Sequence, residues 1–565
     1  MKCLNHLAFL VVIGVATPPI AVQAAADVAT HQSGSIRPDE RLGAVSFPVS
    51  CSPSVRASFN RGVALLHDFW YDEARPQFEA IAKSDPSCSM AHWGIAMSVF
   101  HQIWDRPDEV TIAQGWREIQ AAQSRPPKTT REREYIATLS DFFHPGQDRD
   151  YQARIDAYSA AMAKLYDHYP HDIDAGAFYA LSLLAAEGPT DTSLSQEHKA
   201  MAVLKPLFLR YPDHPGVVHY IIHACDTPSL AADGLTAAEH YGEIAGSAPH
   251  AAHMPGHIFA RLGMWREDID ANLASVAQSK AAEARHESGV LDQFHSDDFL
   301  LYAYLQSGQD AKARALVVDS AAVLAHFEAM PNMADHYMPG MFANYRAKYP
   351  IFLALEFRDW KSAAAIEPIR TALPENQTLT YWARVVANGH LRNAEQARAD
   401  LAEYDSLMER IRQGPHRYYA DSNGAQIMRN EMLAWAAFAQ GNDAESLKQM
   451  RASADLQDKV GQGEVDIPAR EMLADILLEL NQPKEALMEY QQSLKLSPNR
   501  FNGMFNAGMA AEAAGDKTQA AAYYAALLKS TDNGSQSTRP EIEHARNFTS
   551  DLGSQRSDAR SLLYH

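Results

Sequence analysis

The histidines of this sequence are unevenly distributed, and imidazole is the side chain that proteins use most often to bind transition metals. The chain has 24 histidines in 565 residues, and the densest run extends from His214 to His257, with His295 beyond it. Imidazole nitrogens, together with carboxylate oxygens, suit Zn, Cu, Fe or Ni better than Ca or Mg. The stretch therefore predicts a transition-metal site.

The first group of candidate ligands lies on a short helix bounded by Pro215 and Pro228. At 100° per residue, His219, His223 and Asp226 fall within an arc of about 60°, so two imidazoles and a carboxylate share one face. An isolated histidine pair at this spacing is more often structural than metal-binding. The prediction therefore depends on the segments that follow.

The second group is His250, His253 and His257, which again lie within an arc of roughly 60° if their helix is regular. Pro249 suits the first turn of that helix. Pro255 can kink the helix or divide it. Three histidines on one face predict metal binding more strongly than a single pair does.

The third group is His295 and Asp298, which are neighbours three residues apart on a further helix. Three successive helices with ligand-type side chains on one face suggest a shared pocket on the concave side of the fold. The candidate residues outnumber the four ligands of a tetrahedral metal ion. Either two ions bind, or some of these residues only orient the ligands. The competing interpretation is a buried polar network in which histidines bridge helices and Asp226 caps a turn.

Carboxylates elsewhere are weaker candidates for proton transfer at such a site. Glu187 and Asp191 lie on an expected loop before the histidine-rich region, and Glu239 lies within that region. Loop carboxylates are usually just solvated. The sequence contains no glycine-rich phosphate loop, no dinucleotide fingerprint and no Gly-x-Ser-x-Gly turn.

The elements that must position these residues are helical repeats. Three positions recur at an interval of 34 residues: Ala474 and Gly508, Ala486 and Ala520, Tyr490 and Tyr524. The same spacing occurs as Gly62, Ala74 and Phe78. Small residues where two helices touch, with an aromatic residue one turn later, are typical of tetratricopeptide repeats. The sequence predicts an all-α solenoid of stacked antiparallel helix pairs.

The chain divides into six expected segments. A basic start, a short apolar run from Leu7 to Val15 and small residues up to Ala26 predict a cleavable secretory signal. The segments are a signal at 1–24, an extended lead at 25–50, N-terminal repeats at 51–205, histidine-rich repeats at 206–310, C-terminal repeats at 311–550 and a polar tail at 551–565. The protein is therefore expected in the periplasm or outside the cell.

Charge and cysteine content narrow the classes of function. A formal net charge of -20 argues against nucleic-acid binding, and no later stretch is apolar for long enough to span a membrane. Without Cys3, the cysteines are Cys51, Cys88 and Cys225. An odd number in an oxidising compartment predicts one disulfide and one thiol. We favour a Cys51–Cys88 bond because these residues flank one helical hairpin.

Several segments together resemble a family of bacterial exported tetratricopeptide-repeat proteins with HxxxH and HxxHxxxH motifs. The segments are 62–67, 88–96, 215–223 with His219 and His223, 248–259 with His250, His253 and His257, and 301–306. The resemblance covers about residues 50 to 545. It implies the repeat fold and carries no activity with it.

Two functions follow from the sequence. The first is a metal-binding protein that could be a metalloenzyme activating water or dioxygen. The second is a scaffold whose concave groove binds a peptide, a protein or a small molecule, with structural histidines and no catalysis. Oligomeric packing without any ligand leaves the ordered histidine faces unexplained. The sequence does not choose between the possible metals, Cu, Zn or Fe, or between the reactions.

Overall fold

The chain folds into consecutive helix pairs, and the described residues contain no strand. The computed structural model describes residues 37–562 apart from 104–105, 146–149, 189, 329–338, 371, 415–416 and 464. The predicted signal at 1–24 lies outside the described residues, as do 25–36 of the lead and 563–565 of the tail. In the described part, no helix is both long and apolar enough to cross a bilayer.

The helices of the N-terminal half precede and include the histidine-rich region. They are α1 (Arg56–His67), α2 (Tyr71–Ser84), α3 (Ser89–Ser98), α4 (Glu109–Gln123), α5 (Thr130–Phe143), α6 (Tyr151–His168), α7 (Ile173–Ala185), α8 (Ser195–Phe208), α9 (Pro215–Cys225), α10 (Ala231–Ile244), α11 (Pro249–His253), α12 (Pro255–Arg261), α13 (Trp265–Ala284) and α14 (Val290–Gln306).

The helices of the C-terminal half continue the same pattern of pairs. They are α15 (Asp310–Glu328), α16 (Pro339–Glu356), α17 (Trp360–Ala364), α18 (Pro374–His390), α19 (Ala394–Gln413), α20 (Arg417–Ala420), α21 (Asn423–Ala439), α22 (Asp443–Val460), α23 (Ala469–Glu479), α24 (Pro483–Leu496), α25 (Phe501–Ala513), α26 (Lys517–Ser530) and α27 (Pro540–Leu562). The segment predicted as a polar tail is therefore helical through Leu562.

Paired helices touch where the sequence places small residues. A Cβ atom on Gly62 would lie 2.7 Å from Cζ of Phe78, and one on Gly508 would lie 2.4 Å from Cε1 of Tyr524. Only a residue without a side chain lets these helices approach so closely. The prediction of an all-α, tetratricopeptide-like solenoid is confirmed.

Several helices end in a left-handed glycine, but the end of α1 does not. Gly263, Gly308 and Gly441 have φ values of 65°, 69° and 74°, whereas Phe69 occupies the same kind of position with φ 57°. The amide of Trp70 donates to the carbonyl of Leu65, which closes the turn around Phe69. This conformation costs a residue with a Cβ about 1 kcal/mol.

The described part of the lead, residues 37–50, is a strap without regular secondary structure. The amide of Gly43 donates to the carbonyl of Ile244, and the amide of Ala44 donates to the carbonyl of Asp213. Phe47 is buried against Phe59. The strap thus ties α1 to the ends of α8 and α10.

A disulfide between Cys51 and Cys88 encloses α1 and α2. Cys225 is a buried thiol at the end of α9, and its Sγ lies 3.6 Å from the sulfur of Met201. Burial raises the pKa of this thiol to about 12, so it is protonated and packs as a small apolar group.

The C-terminal repeats fold back onto the helices that carry the histidines. The indole of Trp265 donates to the carbonyl of Asn499, the hydroxyl of Tyr302 donates to the carbonyl of Asp466, and Arg539 donates to the carbonyl of Leu305. These contacts join residues 164 to 234 positions apart in the sequence. The helices therefore close on themselves instead of forming an open superhelix.

The buried apolar residues form two large cores that meet at α12. Ile258 and Phe259 belong to the N-terminal core, while the next residue, Ala260, belongs to the C-terminal core. The histidine-rich helices α9, α11, α12 and α14 lie around this junction. Side chains there are fixed by packing from both halves of the chain.

Candidate metal centre

Six of the histidines singled out in the sequence form two groups of three. His219 and His223 of α9 with His250 of α11 form the first triad, and their ligand nitrogens lie within 4.8 Å of one another. The second triad consists of His253 of α11, His257 of α12 and His295 of α14, with nitrogens within the same distance. We call these six residues the histidine cluster.

Helix α11 lies between the triads and supplies a histidine to each. His250 faces the first triad, and His253, one turn later, faces the second. Pro255 interrupts the hydrogen bonds of the helix, but Met254 keeps α-helical angles of φ -52° and ψ -36°. His253 and His257 therefore stay on one face across the interruption, as the sequence predicts for a regular helix.

The two triads are in direct contact. The ring centroids of His250 and His253 are 6.1 Å apart, and those of His223 and His257 are 6.3 Å apart. Within the first triad, the rings of His223 and His250 are also 6.3 Å apart. The triads therefore form one cluster.

In the second triad, two histidines direct their ring protons away from each other. The Nδ1–H group of His253 donates to Oδ1 of Asn272 at 2.6 Å, and that of His257 donates to Oδ2 of Asp226 at 3.1 Å. The amide nitrogen of Asn272 donates to the carbonyl and side chain of Asp268, so its oxygen must face His253. Both Nε2 atoms then carry lone pairs.

Those two Nε2 atoms lie 2.9 Å apart. Their lone pairs repel each other unless both interact with a shared cation. A proton there would make an imidazolium, but Asp226 already receives the Nε–H of Arg261 at 2.9 Å. Two buried cations would share one carboxylate, which is costly. Two nitrogens bound to one tetrahedral ion at 2.0–2.1 Å lie about 3.3 Å apart, close to the observed contact.

The first triad is arranged differently. The Nδ1–H group of His219 donates to the backbone carbonyl of His67 at 2.6 Å, so its Nε2 also carries a lone pair. Nε2 of His223 lies 3.0 Å from it, a separation that an ordinary N–H···N hydrogen bond can occupy. Nδ1 of His250 lies 3.8 Å from Oδ1 of Asp292. Protons alone can satisfy the contact between His219 and His223, unlike the contact between His253 and His257.

Arg261 connects the second triad to the C-terminal repeats. Its guanidinium donates to the carboxylate and the backbone carbonyl of Asp226, and it also donates to the backbone carbonyl of Gln462. Arg261 and Asp226 are both buried. The carboxylate that orients His257 is therefore itself held by a residue anchored to a distant part of the chain.

One phenylalanine covers each triad. The Phe69 ring lies 4.4 Å from that of His219 and is nearly parallel to that of His250, at 5.5 Å. The Phe299 ring lies 4.7 Å from that of His253 and 4.9 Å from that of His257. The ring contacts of Phe69 explain why an aromatic residue occupies a backbone conformation better suited to glycine.

The cluster is buried between helices and not laid open on a concave surface, which differs from the expected groove site. Of its members, only His223 and His295 are partly exposed, one in each triad. Burial lowers the pKa of His219 to about 3, and burial likewise holds the pKa of His223, His250 and His295 well below 6.5. These imidazoles are neutral at pH 7, which is the form that binds metal.

The two carboxylates predicted beside the histidines do not join either triad. Asp226 ends α9 and accepts from His257 and Arg261. Asp298 forms an ion pair with the buried ammonium of Lys348 at 2.5 Å. Asp226 therefore orients a ligand, and Asp298 is oriented by a lysine from α16.

The weaker catalytic candidates are not among the ligand groups of either triad. Glu187 and Asp191 follow the end of α7, and Glu187 is buried. Glu239 is exposed on α10.

A third cluster, which the sequence did not indicate, is a satisfied hydrogen-bond network. His67 contacts the hydroxyl of Tyr220 at 2.9 Å and Asp174 at 3.0 Å. His214 contacts Asp174 through Nε2 and accepts from the amide of Val217 through Nδ1. Every ring nitrogen here has a protein partner. We interpret this cluster as structural support for the carbonyl of His67.

Several residues of the site escape sequence reasoning. Asn272 of α13 and Phe69, in the turn after α1, lie near the cluster, and no local pattern reveals this. Arg261 is four residues after His257 on the same helix, and that spacing is a signal that could have identified it. Phe299 stands four residues after His295 and is accessible to the same reasoning.

Comparison with known proteins identifies one segment. Residues 471–537 match the tetratricopeptide-repeat family. A search among proteins of established function finds no match to the sequence. Similar solved structures include the human IFIT1 dimer with m7Gppp-AAAA, at 10% identity over 78% of this chain and 90% of that chain with a TM-score of 0.37. Yeast Tom70 is similar at 12% identity over 89% and 96%, with a TM-score of 0.29.

These TM-scores do not indicate a shared overall shape, so the ligands of those proteins suggest nothing about this one. The family match covers helices α23 to α26, where the 34-residue interval is most regular. The match therefore identifies tetratricopeptide repeats at 471–537, in a chain whose described residues form helix pairs throughout.

Proposed function

We propose that this chain is an exported metal-binding protein that holds two transition-metal ions, one in each triad of the histidine cluster. The observation that carries the proposal is the contact between Nε2 of His253 and Nε2 of His257 at 2.9 Å. Both ring protons are donated elsewhere, to Asn272 and Asp226. A metal ion is the simplest cation that satisfies both lone pairs.

The donor set restricts the kind of metal. Each triad offers three imidazoles, and neither includes a thiolate or a carboxylate among its ligand atoms. This favours Cu, Zn, Fe or Ni over Ca, Mg or Mn. Three protein ligands leave one position open on a four-coordinate ion, as in catalytic sites. The arrangement therefore also supports an enzyme that activates water or dioxygen.

The alternative function is a scaffold whose repeats bind a peptide, a protein or a small molecule. The tetratricopeptide match at 471–537 supports this alternative, because such repeats commonly provide binding surfaces. It requires no metal and treats the histidines as structural. The two functions are separated by whether metal binds to the cluster.

Metal stoichiometry tests the proposal. We expect purified full-length protein, stripped with a chelator and titrated with Cu(II) or Zn(II), to bind two equivalents per chain by elemental analysis. Each ion binds only the folded state, so free metal at 100 times Kd should raise the stability by about 2.7 kcal/mol per site.

Two exposed histidines provide the matched control. His168 on α6 and His240 on α10 each contact a carboxylate at the surface. The double variant His168→Ala/His240→Ala should still bind two equivalents. Binding of less than half an equivalent by the wild type, or equal losses in control and cluster variants, would refute the metal function and leave the scaffold.

The pH dependence of metal affinity provides a second test. It is measured in the variant His253→Ala, which lacks a ligand of the second triad, so that only the first triad binds metal tightly. Three histidines with a pKa of 6.5 are each about nine-tenths protonated at pH 5.5, which weakens metal binding about 10³-fold. Burial lowers the pKa of His219 to about 3 and holds that of His223 and His250 well below 6.5. No protons then compete with the metal at pH 5.5.

We therefore expect Kd for Cu(II) in this variant to change less than about tenfold between pH 7.5 and 5.5, measured against a competing chelator. A decline of 100-fold or more, with proton release detected by calorimetry, would contradict neutral buried imidazoles. A free peptide with three histidines serves as the reference for ordinary titration.

A further inference from the structure

The two triads are too close for their ions to act independently. The separations between rings of different triads, 6.1 and 6.3 Å, do not exceed the 6.3 Å between His223 and His250 within one triad. The paired Nε2 atoms of each triad are 3.0 and 2.9 Å apart. The open positions of both ions would therefore lie inside the same histidine cluster.

Charge separates the candidate metals. All donor atoms of the triads are imidazole nitrogens, which bring no negative charge. The neighbouring carboxylates Asp226 and Asp298 are paired with Arg261 and Lys348. Two divalent ions would bring four positive charges into a buried site, whereas two Cu(I) ions bring two. Zn has no monovalent state to use, whereas copper does, and imidazole is a donor that suits copper.

A ligand must also fit what surrounds the cluster. Phe69 and Phe299 cover the triads, and solvent reaches only His223 and His295 in part. An apolar, narrow surrounding favours a small uncharged molecule over an organic substrate with charged groups. Dioxygen has these properties.

We infer that the two ions are copper and that dioxygen is the substrate they bind together, an inference that rests on the metal function proposed above. Each Cu(I) supplies one electron, so dioxygen accepts two and becomes peroxide bound between two Cu(II) ions. No protein bond breaks and no proton is needed. The metals gain two positive charges and the peroxide carries two negative charges, so the net charge of the buried site does not change.

Oxygen uptake and magnetic coupling test this inference. The protein is loaded with two copper equivalents, reduced with ascorbate without oxygen, freed of excess ascorbate and then exposed to dioxygen. We expect one dioxygen consumed per two coppers and a new near-ultraviolet charge-transfer band. Two Cu(II) ions bridged by one ligand pair their spins, so electron paramagnetic resonance should detect less than a tenth of the copper.

Single-triad variants make the test specific. His295→Ala and His250→Ala each remove one ligand from a single triad. Each variant should retain one copper, show the full signal of an isolated Cu(II) ion after oxidation, and lack the charge-transfer band. The double variant His168→Ala/His240→Ala should behave as the wild type does.

The outcomes distinguish the two proposals. Two bound coppers with the full magnetic signal, or no oxygen uptake by the reduced protein, would overturn the dioxygen inference and leave the metal function intact. Failure to bind copper in the initial titration would overturn both. Two bound zinc ions with no affinity for copper would also overturn the dioxygen inference alone.

Discussion

Replacing His253 by alanine should reduce bound metal from two equivalents per chain to one. His253 contributes Nε2 to the second triad, and its Nδ1 is fixed by Asn272 at 2.6 Å. In structural zinc sites a binding free energy of 10–16 kcal/mol is shared by four ligands, which is about 2.5–4 kcal/mol for each. At the same value per ligand, the loss of one histidine weakens binding of that ion by about 70- to 900-fold.

The measurement is a titration of Cu(II) against a chelator of known affinity, with stoichiometry checked by elemental analysis. His219→Ala should produce the same loss at the first triad, and the double variant should bind no metal. Because His253 is fully buried, truncation also removes packing, so His253→Gln is examined in parallel with circular dichroism to verify folding. Two tightly bound ions in folded His253→Gln would contradict the assignment.

The second large effect that we expect is a loss of metal affinity and of folding stability in the variant Asp226→Asn. This carboxylate accepts from Nδ1 of His257 and from Arg261, so it both orients a ligand and increases its basicity. Loss of such a partner weakens metal affinity 10- to 100-fold. It also leaves the guanidinium of Arg261 buried without its counter-charge, which costs about 3–5 kcal/mol of folding stability.

Asp298→Asn is the matched control for Asp226→Asn. Asp298 is equally buried and forms an ion pair with Lys348, and it is not a member of either triad. We expect it to lower the melting temperature without changing metal affinity by more than about threefold, well short of the loss expected for a ligand partner. The double variant Asp226→Asn/Arg261→Met removes both charges and should recover stability but not affinity. Equal loss of affinity in Asp226→Asn and Asp298→Asn would contradict an orienting role for Asp226.

The sequence was sufficient to identify the repeat fold and the six histidines of the cluster. Both follow from spacing along one helix: the 34-residue interval for the fold and the shared faces for His219 with His223 and His253 with His257. The recurrence at Gly508 and Tyr524 even locates the contact between paired helices. Local spacing is fixed by helix geometry, which tertiary structure alters little.

The division into two triads could not be predicted from the same spacing. His250, His253 and His257 share one helical face, yet His250 lies with His219 and His223 of α9, while His253 and His257 lie with His295 of α14. Asp298 shares a face with His295, but it forms an ion pair with the buried Lys348, which is 50 residues later in the sequence. Such choices depend on which helices meet, and a single sequence does not contain that information in its local pattern.

The hydrogen bond from Arg261 to Gln462 makes completion of the second triad a late event in folding. The two residues are 201 positions apart, so this guanidinium obtains its last acceptor only after the final repeats have docked. Contacts of such long range form slowly, because the entropy of closing the loop must be offset first. All three ligands of the first triad lie within residues 219–250. On the proposed export and metal function, the first triad would therefore be complete before the second.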